Sequence, residues 1–124
     1  MANEIEMIKK CRRLHFVGIG GVSMSSLAAI AKKRGYEVTG SDDDLNNTTV
    51  EYLETLGIKI HTPLCAKNIS EELDLVVRTA AVHMDNPEIK RAIELDIPVI
   101  TRAEYLGYIM TEYKERSGIS GTHG

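Results

Sequence analysis

The residues most suited to chemistry are Gly18-Ile19-Gly20-Gly21-Val22-Ser23, set between an apolar run and a helical pattern. Gly18 permits a tight turn, and Gly20 lets a ligand's phosphates come close to the backbone. The N–H groups at the start of the following helix, at the positive end of its dipole, then suit an anion. A dinucleotide fingerprint carries a third glycine for close helix–strand packing, and Ser23 stands in its place. That departure argues against a plain NAD site. Asp42 lies 22 residues beyond Gly20. An acid near that spacing accepts hydrogen bonds from a ribose hydroxyl, and a solvated acidic turn explains it equally well. For Asp43 and Asp44 the solvated turn is the preferred reading.

The elements that must position this loop alternate along the chain. Leu14–Ile19 reads as a buried first strand. Met24, Leu27, Ala28, Ile30 and Ala31 follow at helical spacing, closed by Lys32-Lys33-Arg34-Gly35. Glu37–Ser41 is a second strand, and Asn46-Asn47-Thr48 offers a cap for a helix with Val50, Leu53 and Leu56. Ile58–His61 is a third strand. Leu73–Arg78 is a fourth, whose continuous apolar run suits a parallel strand covered on both faces. Pro87 opens a helix bearing Ile89, Ala92, Ile93 and Leu95, where a missing N–H costs nothing. Pro98–Thr101 is a fifth strand, Ala103–Arg116 a last helix, and Gly118-Ile119-Ser120 starts a sixth strand or its exit. Strands alternating with helices predict an α/β, Rossmann-like, doubly wound and mostly parallel sheet in one domain. Met24, Leu27 and Ile30 read as helix core, His15 as packed at the first strand and His83 as a loop residue. Tyr105, Tyr108 and Tyr113 read as a semi-exposed face.

Composition narrows the function classes. The chain has 124 residues, 43% apolar and 27% charged, which fits one domain with a core of its own. Fifteen basic against eighteen acidic residues give a net charge of −3. The densest basic cluster, Lys9-Lys10-Cys11-Arg12-Arg13, lies beside a strand start, so no nucleic-acid footprint is expected. No apolar run nears the roughly 18 residues of a membrane helix, and the first residues lack a signal-peptide core. A soluble cytoplasmic protein without membrane insertion is expected. Cys11 and Cys65 lack metal-ligand spacing and read as reduced thiols, so no metal site is expected.

His15–Ser25, with its glycine loop, resembles the opening of the Mur ligases. Gly35–Asp42, Asp85-Asn86-Pro87-Glu88, Ile97–Ile100 and Arg102-Ala103-Glu104 extend the resemblance in order, and Ser120-Gly121-Thr122-His123-Gly124 closes it. In that family Gly-Thr-His-Gly begins the ATP-binding loop and is followed by Lys and Thr. In such loops the Lys contacts the β- and γ-phosphates and the hydroxyl holds Mg²⁺. The resemblance implies a UDP-sugar-binding N-terminal domain over residues 1–117, with 118–124 starting the ATP loop of a central domain. It implies a ligase in which ATP converts the carboxylate of UDP-N-acetylmuramate to an acyl phosphate, which an amine, L-alanine, then displaces. ATP, Mg²⁺ and L-alanine would engage through further domains, so this stretch alone is expected to bind without ligating, with no catalytic residue of its own.

By the same resemblance Gly18, Gly20, Gly21, Val22, Ser23, Met24 and Ser25 line the diphosphate site, and Asp42 lies near ribose or uracil. Thr79, Ala80, Ala81 and Val82 approach the ligand from the crevice outside the strands' carboxyl ends, where the fold rule also expects binding. His61 is either a donor to phosphate or uracil or a structural strand-end histidine. Arg102 either pairs with a phosphate or caps carbonyls. Gly121, Thr122, His123 and Gly124 belong to the incomplete ATP loop. Three alternatives share the fold: a related ligase that attaches a ready-made tripeptide to the same sugar nucleotide, an NAD(P)-binding domain of an oxidoreductase, and a nucleotide sensor. Ser23 and the terminal Gly-Thr-His-Gly argue against the second, and that terminal motif argues against the third.

Overall fold

The computed structural model of the protein describes residues 2–43 and 48–117. In chain order these residues form α1 (Ala2–Lys10), β1 (Arg13–Val17), α2 (Val22–Lys33), β2 (Glu37–Ser41), α3 (Thr48–Thr55), β3 (Lys59–His61), a 3-10 turn (Ala66–Asn68), β4 (Leu75–Arg78), α4 (Pro87–Glu94), β5 (Val99–Thr101) and α5 (Arg102–Ser117). The strands make one sheet in the order β3-β2-β1-β4-β5. Every pairing in it is parallel, as the sequence pattern predicts. The possible sixth strand at Gly118 and the Gly121–Gly124 motif lie outside the described residues, as do Asp44 and the first two residues of the expected α3 cap.

Alternation along the strands sends side chains to two different cores. Leu14, Phe16, Val38, Leu75, Val77 and Ile100 face a layer built from α1, α2, α3 and α5, which contribute Ile8, Met24, Leu27, Ala28, Leu53, Tyr105 and Ile109. Val17 and Val76 face the opposite way, onto Ile69, Ile97 and the Ile89 and Ala92 of α4. Both faces of β1 and β4 are therefore covered, which is why Leu75-Val76-Val77 of β4 reads as an unbroken apolar run. The chain winds from β1 outward to β3, then crosses to β4 on the other side of β1. The connections diverge between β1 and β4, and in such sheets a crevice opens there, outside the carboxyl ends of the strands.

Three details differ from the sequence reading. The N-terminal helix α1 is additional, and it buries Ile8 against the larger core. Ile30, expected in the core, lies on the outer flank of α2 and is 38% exposed, and Ile93 of α4 is 48% exposed. Tyr105 and Tyr108 are buried instead of forming a semi-exposed face. Their positions with Ile109 make an i, i+3, i+4 stripe, and α5 lays that stripe on the sheet. The Tyr105 ring meets Phe16 edge-on at 5.7 Å and Tyr108 at 5.9 Å. The Tyr108 hydroxyl donates to Glu112 at 2.6 Å, and Glu112 also pairs with Arg34. The Tyr113 side chain lies outside the described residues.

The Tyr105 hydroxyl is buried with no hydrogen-bond partner among the described residues. Removing an unsatisfied buried donor relieves a desolvation cost, so Tyr105→Phe should raise stability by roughly 1 kcal/mol in urea denaturation. Gly40→Ala should do the reverse. A β-carbon there would stand 2.8 Å from Ile19 Cβ and 2.9 Å from its Cγ2. Overpacking of that kind costs about 1–3 kcal/mol.

Candidate functional site

β1 ends at Val17, and Gly18 turns the chain through a left-handed conformation with φ +77°. The loop that follows is held by the end of β2. The Ser41 carbonyl accepts from the N–H of Gly18 at 2.8 Å and of Ile19 at 3.0 Å. One residue on, Asp42 Oδ2 accepts from the Gly20 N–H at 2.8 Å. Ile19 is fully buried, seated in the space that glycine leaves at position 40. These contacts present the start of α2 to solvent: Gly21 is its N-cap, with no side chain to cap it, and Val22 is 81% exposed. Ser25 N–H is bonded back to the Gly21 carbonyl at 2.8 Å. The N–H groups of Val22, Ser23 and Met24 precede it in the first turn, where a helix has no internal acceptors to offer.

The helices α4 and α5 start differently. Asn86 Oδ1 accepts from Glu88 N–H at 2.8 Å at the head of α4. Thr101 and Glu104 form a reciprocal capping box at the head of α5, with Glu104 Oε1 accepting from Thr101 N–H at 2.8 Å and Thr101 Oγ1 from Glu104 N–H at 3.2 Å. An open helix start aimed at a crevice is suited to an anion.

The facing wall is the segment after β4. Arg78 Nη1 donates to the Val82 carbonyl at 3.0 Å and lies 3.4 Å from that of Thr79, which folds Thr79–Val82 into a turn. A β-carbon at Gly18 would stand 3.9 Å from Val82 Cγ2, so the two walls meet there. Ala80 and Ala81 are exposed beyond that contact. A pocket of about 350 Å³ lined by Ser25, Ser26, Thr48, Thr49 and Tyr52 adjoins the loop on the α3 side.

Residues 13–114 match the model of a family described as "Mur ligase family, catalytic domain". The chain belongs to the Mur ligase family. It is 50% identical over 111 residues to a UDP-N-acetylmuramate–L-alanine ligase of Lachnospira eligens, covering 90% of this chain and 24% of that protein. A ligase of the same name from Acetivibrio thermocellus is also 50% identical, over 93% of this chain and 24% of its own length. The Mur ligase chain thus spans about a quarter of the length of these relatives. Among solved structures, the UDP-N-acetylmuramate-alanine ligase of Thermotoga maritima superposes with a TM-score of 0.78 at 39% identity, over 82% of this chain and 23% of that one. The UDP-N-acetylmuramate:L-alanyl-gamma-D-glutamyl-meso-diaminopimelate ligase of Neisseria meningitides gives 0.70 at 31% identity, over 77% and 30%.

In this Mur ligase chain the glycine loop and Thr79–Val82 meet at Gly18 and Val82, while two other residues singled out in the sequence stand apart from that contact. His61 closes β3, two strands from β1, and lines a pocket of about 250 Å³ with Thr39, Asn68, Ser70 and Glu72. Burial, with His15 and Lys59 nearby, lowers its pKa below the ordinary histidine value. Arg102 is half-buried and follows Thr101, the register partner of Arg78, at the carboxyl end of β5. Asp42 has a partner that neither sequence reading supplied, the Gly20 N–H. Asp43 is exposed, and its carboxylate accepts from Leu64 N–H at 3.0 Å. Among the described residues no three His, Cys, Asp or Glu side chains are grouped to hold a metal, and no helix is long and apolar enough to cross a membrane.

Sequence reasoning missed a buried network behind the loop. The side chains of Glu88 and His15 are both fully buried, and Glu88 Oε1 accepts from His15 Nε2 at 2.8 Å and Ser41 Oγ at 2.7 Å. Oε2 accepts from Cys65 N–H at 3.0 Å and Asn68 Nδ2 at 2.7 Å. The other ring nitrogen of His15 meets Thr39 Oγ1 at 2.8 Å. The available signal was a histidine in the middle of an apolar strand, which has to find a polar partner inside the fold. Burial alone would push the Glu88 carboxyl up. The hydrogen bonds from His15, Asn68 and Ser41 outweigh it and hold the group below the ordinary carboxylate value.

Because the folded pKa lies below the unfolded one, this contribution is complete above the unfolded value of about 4.3 and is lost as pH falls through the lower, folded value. Glu88→Ala strands the donors and should cost about 3–5 kcal/mol near neutral pH. The gap between native and variant urea midpoints should stay level above about pH 5 and shrink toward pH 3.

Proposed function

We propose that this chain is the N-terminal, UDP-sugar-binding domain of an ATP-dependent ligase that adds L-alanine to UDP-N-acetylmuramate, a cytoplasmic step in peptidoglycan precursor synthesis. The observation that carries this reading is the uncapped start of α2, held open by β2 and facing Thr79–Val82 at the switch point. The names borne by relatives at 50% identity supply the substrate class. In this reading the N–H groups of Val22, Ser23 and Met24 donate to the diphosphate. Such charge-assisted bonds are each worth roughly 1.5–3 kcal/mol. The small side chains of Ala80 and Ala81 leave room for the sugar on the opposite wall. Ser25 and the hydroxyl-lined pocket beside it extend the site toward the nucleoside, with Asp42 at its edge.

The muramoyl carboxylate then projects from the crevice toward the rest of the enzyme. There ATP and Mg²⁺ activate it and L-alanine attacks, with Gly121–Gly124 opening the ATP loop after residue 117. The chain alone binds and does not ligate. The lower identity to the tripeptide-adding ligase, 31% against 39%, favours L-alanine as the amine.

Calorimetric titration of the chain with UDP-N-acetylmuramate should give saturable heat, UDP should bind more weakly, and NADH should give none. Gly20→Leu should weaken the sugar nucleotide at least tenfold, a loss of about 1.4 kcal/mol or more, by blocking phosphate approach to the backbone. Binding of NADH alone would contradict the assignment.

A further inference from the structure

Ser41 links the carboxylate of Glu88, which stands behind the glycine loop, directly to the loop's backbone. Ser41 Oγ donates to Glu88 Oε1 at 2.7 Å, while the Ser41 carbonyl accepts from the N–H groups of Gly18 and Ile19. The loop is therefore gripped by a residue whose side chain is itself gripped from α4. We propose that Glu88 is a positioning residue for ligand binding: through Ser41 it fixes the end of β2, and so the direction in which the first turn of α2 presents its N–H groups. The claim rests on the UDP-sugar reading above for its ligand, and on hydrogen bonds alone for its mechanism.

Four donors meet the four lone-pair directions of one carboxylate, His15 and Ser41 on Oε1 and Cys65 N–H and Asn68 on Oε2. A carboxylate accepts on both oxygens, whereas an amide turns one end into a donor and obliges two of the four partners to reverse their roles. Glutamate is the residue that satisfies all four at this reach. The contacts fall into two groups. His15 and Ser41 tie Glu88 to β1 and β2, the strands that carry the loop. Cys65 and Asn68 tie it to the crossover segment after β3, which makes none of the hydrogen bonds to Gly18 or Ile19. A purely structural network would respond alike to losing a contact from either group. A positioning network would transmit only the loss on the Oε1 side.

The test uses the 124-residue chain carrying Ser41→Ala, Asn68→Ala or Glu88→Gln, each checked for native circular dichroism. Amide hydrogen exchange at Gly18 and Ile19 is measured without ligand, and affinity for UDP-N-acetylmuramate is measured by calorimetry. Ser41→Ala should speed exchange at both amides and weaken binding by about tenfold, the effect of losing one buried hydrogen bond. Asn68→Ala should lower the unfolding midpoint comparably while leaving both loop readouts within about twofold of native. Glu88→Gln should follow Ser41→Ala if it folds, and the two alanine variants decide the matter if it does not. Equal loop effects from Ser41→Ala and Asn68→Ala, or unchanged exchange in a folded Ser41→Ala chain, would overturn the proposal. Should the native chain fail to bind the sugar nucleotide, the ligand reading fails, and the exchange comparison still decides whether Glu88 positions the loop.

Discussion

The end of β2 is the constraint on which the site depends. A glycine-rich turn has little intrinsic preference for one conformation, because glycine surrenders more backbone freedom on folding than any other residue. Here that freedom is removed by three hydrogen bonds from two adjacent residues. Ser41 takes the Gly18 and Ile19 N–H groups through its carbonyl, and Asp42 takes Gly20 through its carboxylate. Ile19 adds an apolar anchor over Gly40, so the turn is fixed from both its backbone and its side-chain side. The donors left facing the crevice are those of the first turn of α2.

This arrangement explains why the loop departs from a dinucleotide fingerprint without losing its anion-facing geometry. The acid at the end of β2 in a dinucleotide site points toward a ribose, whereas Asp42 here directs Oδ2 inward to the loop. Ser23, in the position of the missing third glycine, is exposed at the head of α2, where no close helix–strand contact demands a glycine. Both departures fit a site arranged around a diphosphate at the helix start. The capped starts of α4 and α5 sharpen the point, since in each a side chain already satisfies first-turn donors.

Much of this was legible in the sequence because buried parallel strands write themselves plainly. Leu75-Val76-Val77 is apolar throughout since both of its faces are covered, and Pro87 after Asn86 marks a helix start whatever lies around it. The location of the glycine loop followed from strand–turn–helix order alone. What stayed hidden depended on contacts distant in sequence. Glu88 in the first turn of a helix reads as a surface acid favoured by the dipole, and nothing local reveals that His15, 73 residues away, lies against it. Asp42 was located correctly at the strand end, but a ribose hydroxyl and the Gly20 N–H ask for the same acceptor. Tyr105 and Tyr108 were misjudged because α5 is polar overall, and its burial is decided by the sheet face it meets.

The central claim, that the crevice between the head of α2 and Thr79–Val82 takes the UDP end of a sugar nucleotide, is tested most directly by NMR. Amide shifts of the ¹⁵N-labelled chain would be followed as UDP-N-acetylmuramate is added. The account predicts that the largest saturable shifts fall on Gly20–Ser25 and Thr79–Val82, with smaller ones at Asp42. Saturable shifts confined to α4 and the 3-10 turn, with the α2 head silent, would contradict it.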